Sequence, residues 1–175
     1  MIMAILKIVI DPNPVLRAGA KKIDLQLNPS LKVRPASPAK RGEEGRVDYA
    51  KDELAALAAD MILTMKKAPG VGLAAPQIGK SIRLIVVERT PAPLVLINPK
   101  IVKHSLRRDT MEEGCLSVPG KYGLIKRYKS VSVKAQTLDG QPFELEAKGF
   151  LAQIFQHEID HLNGTLYIDK ALKFI

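Results

Sequence analysis

Residues 148–164, KGFLAQIFQHEIDHLNG, form the clearest helical pattern in the sequence. Their apolar residues recur at the spacing of a helix that must be buried on one side. Glycine is the favoured residue just after a helix C-terminus, and Gly164 stands in that place. We therefore predict a buried helix that begins near Lys148 and ends around Asn163 and Gly164.

Two of the three histidines lie on this helix, in the order His157-Glu158-Ile159-Asp160-His161. Residues i and i+4 share one face of a helix, so both imidazoles can converge on one metal ion. Glu158 is then placed to take a proton from a water that the ion activates. In the alternative interpretation the histidines only pack within the helix. The spacing around a glutamate favours the metal site.

A catalytic metal needs a third protein ligand, and the downstream sequence offers little. One known extension of the motif requires His or Asp at position 167, which is Tyr167, and another requires a later Glu, which is missing. Asp169 is poorly spaced. Cys115, framed by Gly114 and Pro119, is the best upstream candidate, although a lone cysteine can also be a small buried hydrophobe. His104 has no such neighbours and is interpreted as a surface or strand-end residue.

The remaining pattern predicts an α+β fold with largely antiparallel strands packed around a C-terminal metal-binding helix. A second long helix, about 48–67, should precede a turn-rich segment at 70–79, because its apolar residues fall on one face. A short helix or turn is expected over 14–20. A buried first strand is predicted over 1–10, and the later strands are predicted at 82–88, 94–103, 129–137 and 142–146. Asp139-Gly140 should form the hairpin turn between the last two.

Composition places the chain among ordinary globular proteins. It has 175 residues and 46% apolar residues, with 27 Lys and Arg against 18 Asp and Glu, which gives a formal charge of +9. These values exclude a collagen, a coiled-coil array and global disorder. We predict a single domain over 1–175, with 26–47 as a surface loop or insertion.

The cellular setting follows from the cysteine count and the apolar runs. One cysteine cannot form an internal disulfide, so a disulfide-stapled secreted domain is excluded. The N-terminal run does not have the organisation of a signal peptide, and no run approaches the length of a membrane span. A cytoplasmic location without membrane contact is therefore expected.

Three segments together resemble the signature motifs of the peptide deformylase family. They are 70–77 (GVGLAAPQ), 113–117 (EGCLS) and 156–161 (QHEIDH), in the family's order and at plausible separations. The resemblance extends from the first predicted strand to the last helix. It implies hydrolytic removal of the formyl group from the N-formylmethionine of newly made polypeptides, and therefore N-formylmethionyl peptides and nascent chains as partners.

The resemblance also assigns roles to individual residues. Cys115, His157 and His161 would bind one divalent metal, most typically Fe²⁺, with Zn²⁺, Ni²⁺ or Co²⁺ on the same ligands. Glu158 would be the general base, and the Gln77 side-chain amide and the Leu116 backbone N–H would stabilise the oxyanion. Extended backbone contacts to substrate would come from Val71, Gly72, Glu113 and Gly114. Apart from the resemblance, the neighbourhood of the candidate ligands offers Val71, Met111, Phe150 and Ile154 as walls of an apolar methionine pocket, although packing of the helix in the core would explain Phe150 and Ile154 equally well.

Two departures and two alternatives accompany this resemblance. The 26–47 region is longer than in compact members. Many bacterial members carry a C-terminal helix that associates with the ribosome, for which residues 165–175 leave almost no room. A different metal-dependent peptidase or amidase would use the same helix. The charge of +9 also suggests a basic RNA-associated module or weak proximity to the ribosome, although the low aromatic content argues against binding to single strands.

Overall fold

The computed structural model describes residues 3–26 and 45–175 and has an α+β architecture, as predicted. The helices are α1 (Lys51–Lys67) and α2 (Gly149–Leu162), and short 3-10 helices cover Pro14–Arg17, Ala75–Ile78 and Tyr167–Asp169. The strands are β1 (Lys22–Gln26), β2 (Arg46–Ala50), β3 (Gly72–Ala74), β4 (Leu84–Val87), β5 (Leu94–His104), β6 (Arg108–Cys115), β7 (Val118–Tyr128), β8 (Ser130–Gln136), β9 (Pro142–Lys148) and β10 (Lys173–Phe174).

In residues 3–26 and 45–175 the strands form three separate sheets. Five antiparallel strands are ordered β3-β4-β5-β8-β9, three antiparallel strands are ordered β10-β7-β6, and β1 pairs in parallel with β2. Strand β4 is buried on both faces: Leu84 and Val86 pack in the cluster that contains α1 residues, whereas Ile85 and Val87 pack with α2 residues. The five-stranded sheet therefore lies between the two helices.

Helix α2 ends in the way that the sequence predicts. Gly164 has φ +75°, its N–H donates to His161 O at 3.1 Å, and the N–H of Thr165 donates to Asp160 O at 3.0 Å. This pair of bonds is the Schellman arrangement, which satisfies the last carbonyls of a helix. The four later strands also agree with prediction, and the loop between β8 and β9 has Gly140 at φ +74°.

The N-terminal strand prediction is wrong. Residues 3–10 belong to no sheet, and Met3, Ile5 and Ile10 are exposed. Their backbone bonds go elsewhere: Leu6 N donates to Thr64 Oγ1 at 2.8 Å, and Val9 N donates to Gln77 O at 2.7 Å. The apolar run is therefore an extended segment that lies against α1 and the 3-10 helix at 75–78.

The predicted start of the first long helix is also wrong. Residues 46–50 form β2 in register with β1, and α1 begins only at Lys51. Asp48, the expected first residue of the helix, accepts a hydrogen bond from Gln26 Nε2 at 3.1 Å. Pairing with β1 outweighs helical propensity here. The predicted 26–47 loop therefore loses Gln26 and residues 46–47 to strands, while 27–44 lies outside the described residues.

The sequence did not predict the hairpin formed by β6 and β7. Both strands have mixed burial rather than a clean alternation of apolar and polar residues, so the period-2 signal is weak. The hairpin turns at Leu116 and Ser117, immediately after Cys115. In the part of the chain that the structure describes, no helix is long and apolar enough to cross a membrane.

Replacing Gly164 should destabilise the fold. A Cβ at this residue would lie 2.5 Å from Arg17 O, and the backbone is left-handed, so Gly164→Ala combines a clash with a strained conformation. We expect the free energy of unfolding to fall by at least about 1–2 kcal/mol in urea denaturation. Gly19→Ala is the control, since nothing lies within 4 Å of its added Cβ; equal losses in both variants would contradict the argument.

Candidate metal centre and active site

The side chains of Cys115, His157 and His161 converge in the interior. Their ligand atoms all lie within 4.8 Å of one another, and Cys115 Sγ is 3.2 Å from His161 Nε2. The two histidines come from successive turns of α2, while Cys115 is the last residue of β6. Among the described residues no other group of His, Cys, Asp and Glu has this geometry.

A buried ion-pair network orients His157. Its Nδ1 lies 2.9 Å from Glu113 Oε2, and Glu113 also accepts from Arg127 Nε at 2.7 Å and Nη2 at 2.9 Å. Burial alone would raise the pKa of Glu113, but the hydrogen bonds from Arg127 and His157 lower it to about 2. A charged carboxylate that holds Nδ1–H leaves Nε2 of His157 for the metal, as in many protein metal sites.

The donor set fits a divalent transition metal. Burial lowers the pKa of His161 well below its ordinary value, so its ring stays neutral, which is the form that binds metals. Burial opposes a proton on His157, yet hydrogen bonds to Cys115 and Glu113 raise its pKa to about 10. The partners that favour a proton on the His157 ring also favour a metal cation at the same place. One sulfur and two imidazole nitrogens suit Zn²⁺ or Fe²⁺.

Glu158 lies beside this centre with an oxygen to spare. It is only 4% exposed, and its Oε2 has no hydrogen-bond partner among the described residues. Burial raises the pKa of Glu158 to about 7, which suits a group that must both accept and release a proton near neutrality. Gly72 makes room for it, because a Cβ at Gly72 would lie 2.3 Å from Glu158 Oε1.

Gln77 is held so that its amide nitrogen faces the centre. Its Oε1 accepts from Ala74 N at 2.8 Å, and its Nε2 donates to Cys115 Sγ at 3.5 Å and to Ser117 Oγ at 3.4 Å. At 2% exposure its side chain is buried. Leu116 lies in the turn after Cys115, and its N–H donates to no group in the part of the chain that is described.

A cavity of about 410 Å³ opens beside the centre. It is lined by all four residues for which extended backbone contact with the substrate was predicted: Val71, Gly72, Glu113 and Gly114. Of the expected methionine pocket, Val71, Phe150 and Ile154 line the cavity, but Met111 does not. Met111 precedes Glu113 by two residues on β6, outside the lining. The lining also includes the amide of Gln153.

Sequence reasoning missed three polar residues around the site. Arg127 lies on an unpredicted strand and carries no local signal. Gln153, whose Nε2 donates to Glu112 O at 2.7 Å, was taken only as part of a buried helix. Asp160, inside the H-E-x-x-H segment, accepts from Arg127 Nη1 at 2.5 Å; its place beside the ligands was a usable signal.

Two residues set aside in the sequence lie outside the centre. Asp169 pairs with Arg17 Nη1 at 2.5 Å rather than approaching the ligands. His104 ends β5, as predicted, and stacks on Tyr128 with 3.8 Å between ring centroids.

Comparison with known proteins gives one family throughout. The model of the polypeptide deformylase family matches residues 36–174. A peptide deformylase from Mesorhizobium japonicum is 42% identical over 176 residues, covering 98% of this chain and 86% of its own length. The Dictyoglomus thermophilum peptide deformylase is 46% identical over 136 residues, covering 78% of this chain and 88% of its own length.

Solved structures agree with the sequence relatives. The peptide deformylase of Thermotoga maritima superposes with a TM-score of 0.80 at 35% identity, covering 99% of this chain and 100% of that one. The Synechococcus elongatus enzyme, solved in complex with actinonin, has a TM-score of 0.80 at 35% identity, covering 99% of this chain and 82% of that one. The chain therefore belongs to the peptide deformylase family, metal-dependent hydrolases that remove the N-formyl group from nascent polypeptides.

Proposed function

We propose that Cys115, His157 and His161 hold one divalent cation, with Fe²⁺ as the native ion, and that α2 is the metal-binding helix. Zn²⁺, Ni²⁺ and Co²⁺ would use the same ligands. The observation that carries the proposal is the convergence of the three ligand atoms within 4.8 Å. When bound, such a cation polarises a carbonyl and makes water acidic enough to lose a proton near neutral pH.

In the proposed reaction Glu158 moves the proton. Its unpartnered Oε2 takes a proton from the attacking water and passes it to the amine nitrogen as the C–N bond breaks, so that formate and a free N-terminus are released. Gln77 Nε2 and the Leu116 N–H donate to the carbonyl oxygen as its negative charge develops. The anchoring of Gln77 Oε1 on Ala74 N supports this role, since it directs the N–H groups into the centre.

The substrate is an N-formylmethionyl peptide or nascent chain, bound along the cavity. β6 is the edge strand of its sheet, so the backbone of Glu113 and Gly114 can pair with an extended peptide, with Val71 and Gly72 opposite. Val71, Phe150 and Ile154 supply apolar walls for the methionine side chain. We further propose that residues 1–175 form one catalytic domain, that it works in the cytoplasm, and that it has at most weak proximity to the ribosome.

Removing the Glu158 carboxylate should abolish turnover without abolishing metal binding. We expect Glu158→Ala to keep one metal per chain and to lose deformylation of formyl-Met-Ala-Ser by about 10²–10⁴-fold, since a positioned base contributes that much. The assay is run anaerobically with metal analysis of the same sample, which should find iron in the wild-type protein. Cys115→Ser is the matched variant that should lose the metal; wild-type-like turnover by Glu158→Ala would refute the assignment.

A side chain at Gly72 should lower activity by displacing the Glu158 carboxylate. The Cβ of Gly72→Ala would displace the carboxylate, so we expect deformylation to fall at least about 10-fold with the metal retained. The measurement is a double-mutant cycle on kcat/KM. Adding Gly72→Ala to Glu158→Ala should cost nothing further; full additivity of the two losses would show that Gly72 acts independently of Glu158.

The Glu113 carboxylate should strengthen metal binding by orienting His157. Glu113→Gln keeps the size but removes the charge that holds Nδ1–H, so we expect the metal affinity to fall by about 10–100-fold in a chelator competition. Asp169→Asn is the matched control, because Asp169 forms an ion pair outside the centre. Equal affinities for Glu113→Gln and wild type would contradict this role.

A further inference from the structure

Several exposed basic side chains lie near one another in a part of the surface that is outside the hydrolytic site. The end of β5 and the start of β8 meet the β6–β7 hairpin there, where Ser105 N donates to Ser130 O at 3.0 Å and Lys129 N donates to Arg107 O at 3.1 Å. We call this region the basic corner and define it by the exposed side chains of Lys103, His104, Arg107, Arg108 and Lys126.

The charge of the basic corner is not neutralised by neighbouring carboxylates. Within the described residues Lys103, Arg107, Arg108 and Lys126 form no ion pair with Asp or Glu. The nearby Asp109 is paired with Lys129 at 3.0 Å. Four cations without a carboxylate partner therefore lie at the adjoining ends of β5, β6 and β7, and such a concentration of positive charge attracts a polyanion.

Contacts with Tyr128 hold the Arg108 guanidinium of the basic corner in a fixed orientation. The ring of Tyr128 lies between two partners: His104 stacks at 3.8 Å between centroids, and the Arg108 guanidinium carbon lies 4.2 Å from the ring centroid. Arg108 Nη2 also donates to the Tyr128 hydroxyl. A guanidinium held in this way loses little further freedom when its remaining N–H groups bind a phosphate. Across the hairpin Arg108 is paired with Tyr128, and Lys126 is paired with Thr110. Paired side chains lie on the same face of a sheet, and so do residues two apart on one strand. Arg108 and Lys126 therefore share one face of the hairpin.

We propose that the basic corner is a docking surface for the phosphate backbone of structured RNA. The Tyr128 ring already contacts His104 and Arg108, so it is not a free platform for base stacking, and the contacts that the four cations offer are phosphate contacts. An anionic membrane fits less well, because Leu106, which is 97% exposed, and Val102, which is 36% exposed, make a small apolar area where interfacial binding needs a larger apolar face. The site of hydrolysis is separate, and none of the five residues lines its cavity.

The test is a salt titration with a fluorescein-labelled RNA duplex of about 16 base pairs, followed by anisotropy. With four phosphate contacts, binding by the full chain should weaken by about 10²-fold between about 50 and 200 mM NaCl. The double variant Arg107→Glu with Arg108→Glu should bind at least about 10-fold more weakly at the lower salt, and its log–log salt slope should be smaller by about 2.

Two further variants keep the outcome decisive. Lys103→Glu with Arg107→Glu avoids the Tyr128 stack and should weaken RNA binding similarly, even if the change at Arg108 disturbs the fold. Lys7→Glu with Lys21→Glu makes the same change of net charge at exposed residues away from the corner, and it should bind RNA nearly as well as wild type. All three should hydrolyse formyl-Met-Ala-Ser at the wild-type rate, so a failure of docking is distinct from a failure of the hydrolytic assignment.

The proposal is overturned by any of three results. The first is that the Lys7 and Lys21 variant loses as much RNA binding as the corner variants, which would make the effect one of net charge alone. The second is that the corner variants bind RNA as tightly as wild type. The third is that vesicles of phosphatidylserine and phosphatidylcholine bind in a corner-dependent manner while RNA does not, which would assign the surface to a membrane.

Discussion

The guanidinium of Arg127 is the contact on which the proposed metal centre depends. It is 3% exposed and lies between Glu113 on β6 and Asp160 on α2, with hydrogen bonds to both carboxylates. A buried charge is tolerated only when it is paired and fully hydrogen-bonded. The two carboxylates therefore hold Arg127, and Arg127 in turn fixes the position of the three-stranded sheet against α2.

The contacts of Arg127 set the positions of the proposed metal ligands, which come from two different elements. Glu113 reaches from Arg127 to His157, while Cys115, two residues later on β6, lies with its Sγ 3.2 Å from His161 Nε2. A shift of the hairpin by one residue would turn Cys115 away, because side chains alternate across a strand. Asp160 is further tied to Lys170 Nζ at 2.6 Å, so the segment after α2 also supports the network.

The parts of the site that could be predicted from sequence are those with a short-range pattern. His157, Glu158 and His161 lie within one helix, so their spacing alone places them on one side. Cys115 required the inventory of the chain and the family resemblance, because its position depends on a hairpin whose strands have no clear alternation. Arg127 had no local signal at all. Its importance arises only when β7 is placed beside α2.

The same reasoning explains the errors in the fold. The N-terminal run has the composition of a strand, but its backbone donors are satisfied by Thr64 and Gln77. Residues 46–50 have helical neighbours along the chain, but β1 provides a better set of partners for their backbone. In both cases distant groups decide where the backbone hydrogen bonds go, and local sequence does not contain that information.

The division between buried and exposed residues matches what a hydrolase of nascent chains must do. The groups assigned to chemistry, Glu158 and Gln77, are almost fully buried, so their charges and dipoles act in a medium of low dielectric constant. Two apolar residues at the rim of the cavity are different: Val71 is 43% and Phe150 is 59% exposed, whereas Ile154 is buried. All formylated chains share the formyl group, whereas the residues beyond the first vary. A closed centre with an open rim therefore allows one constant reaction on many sequences.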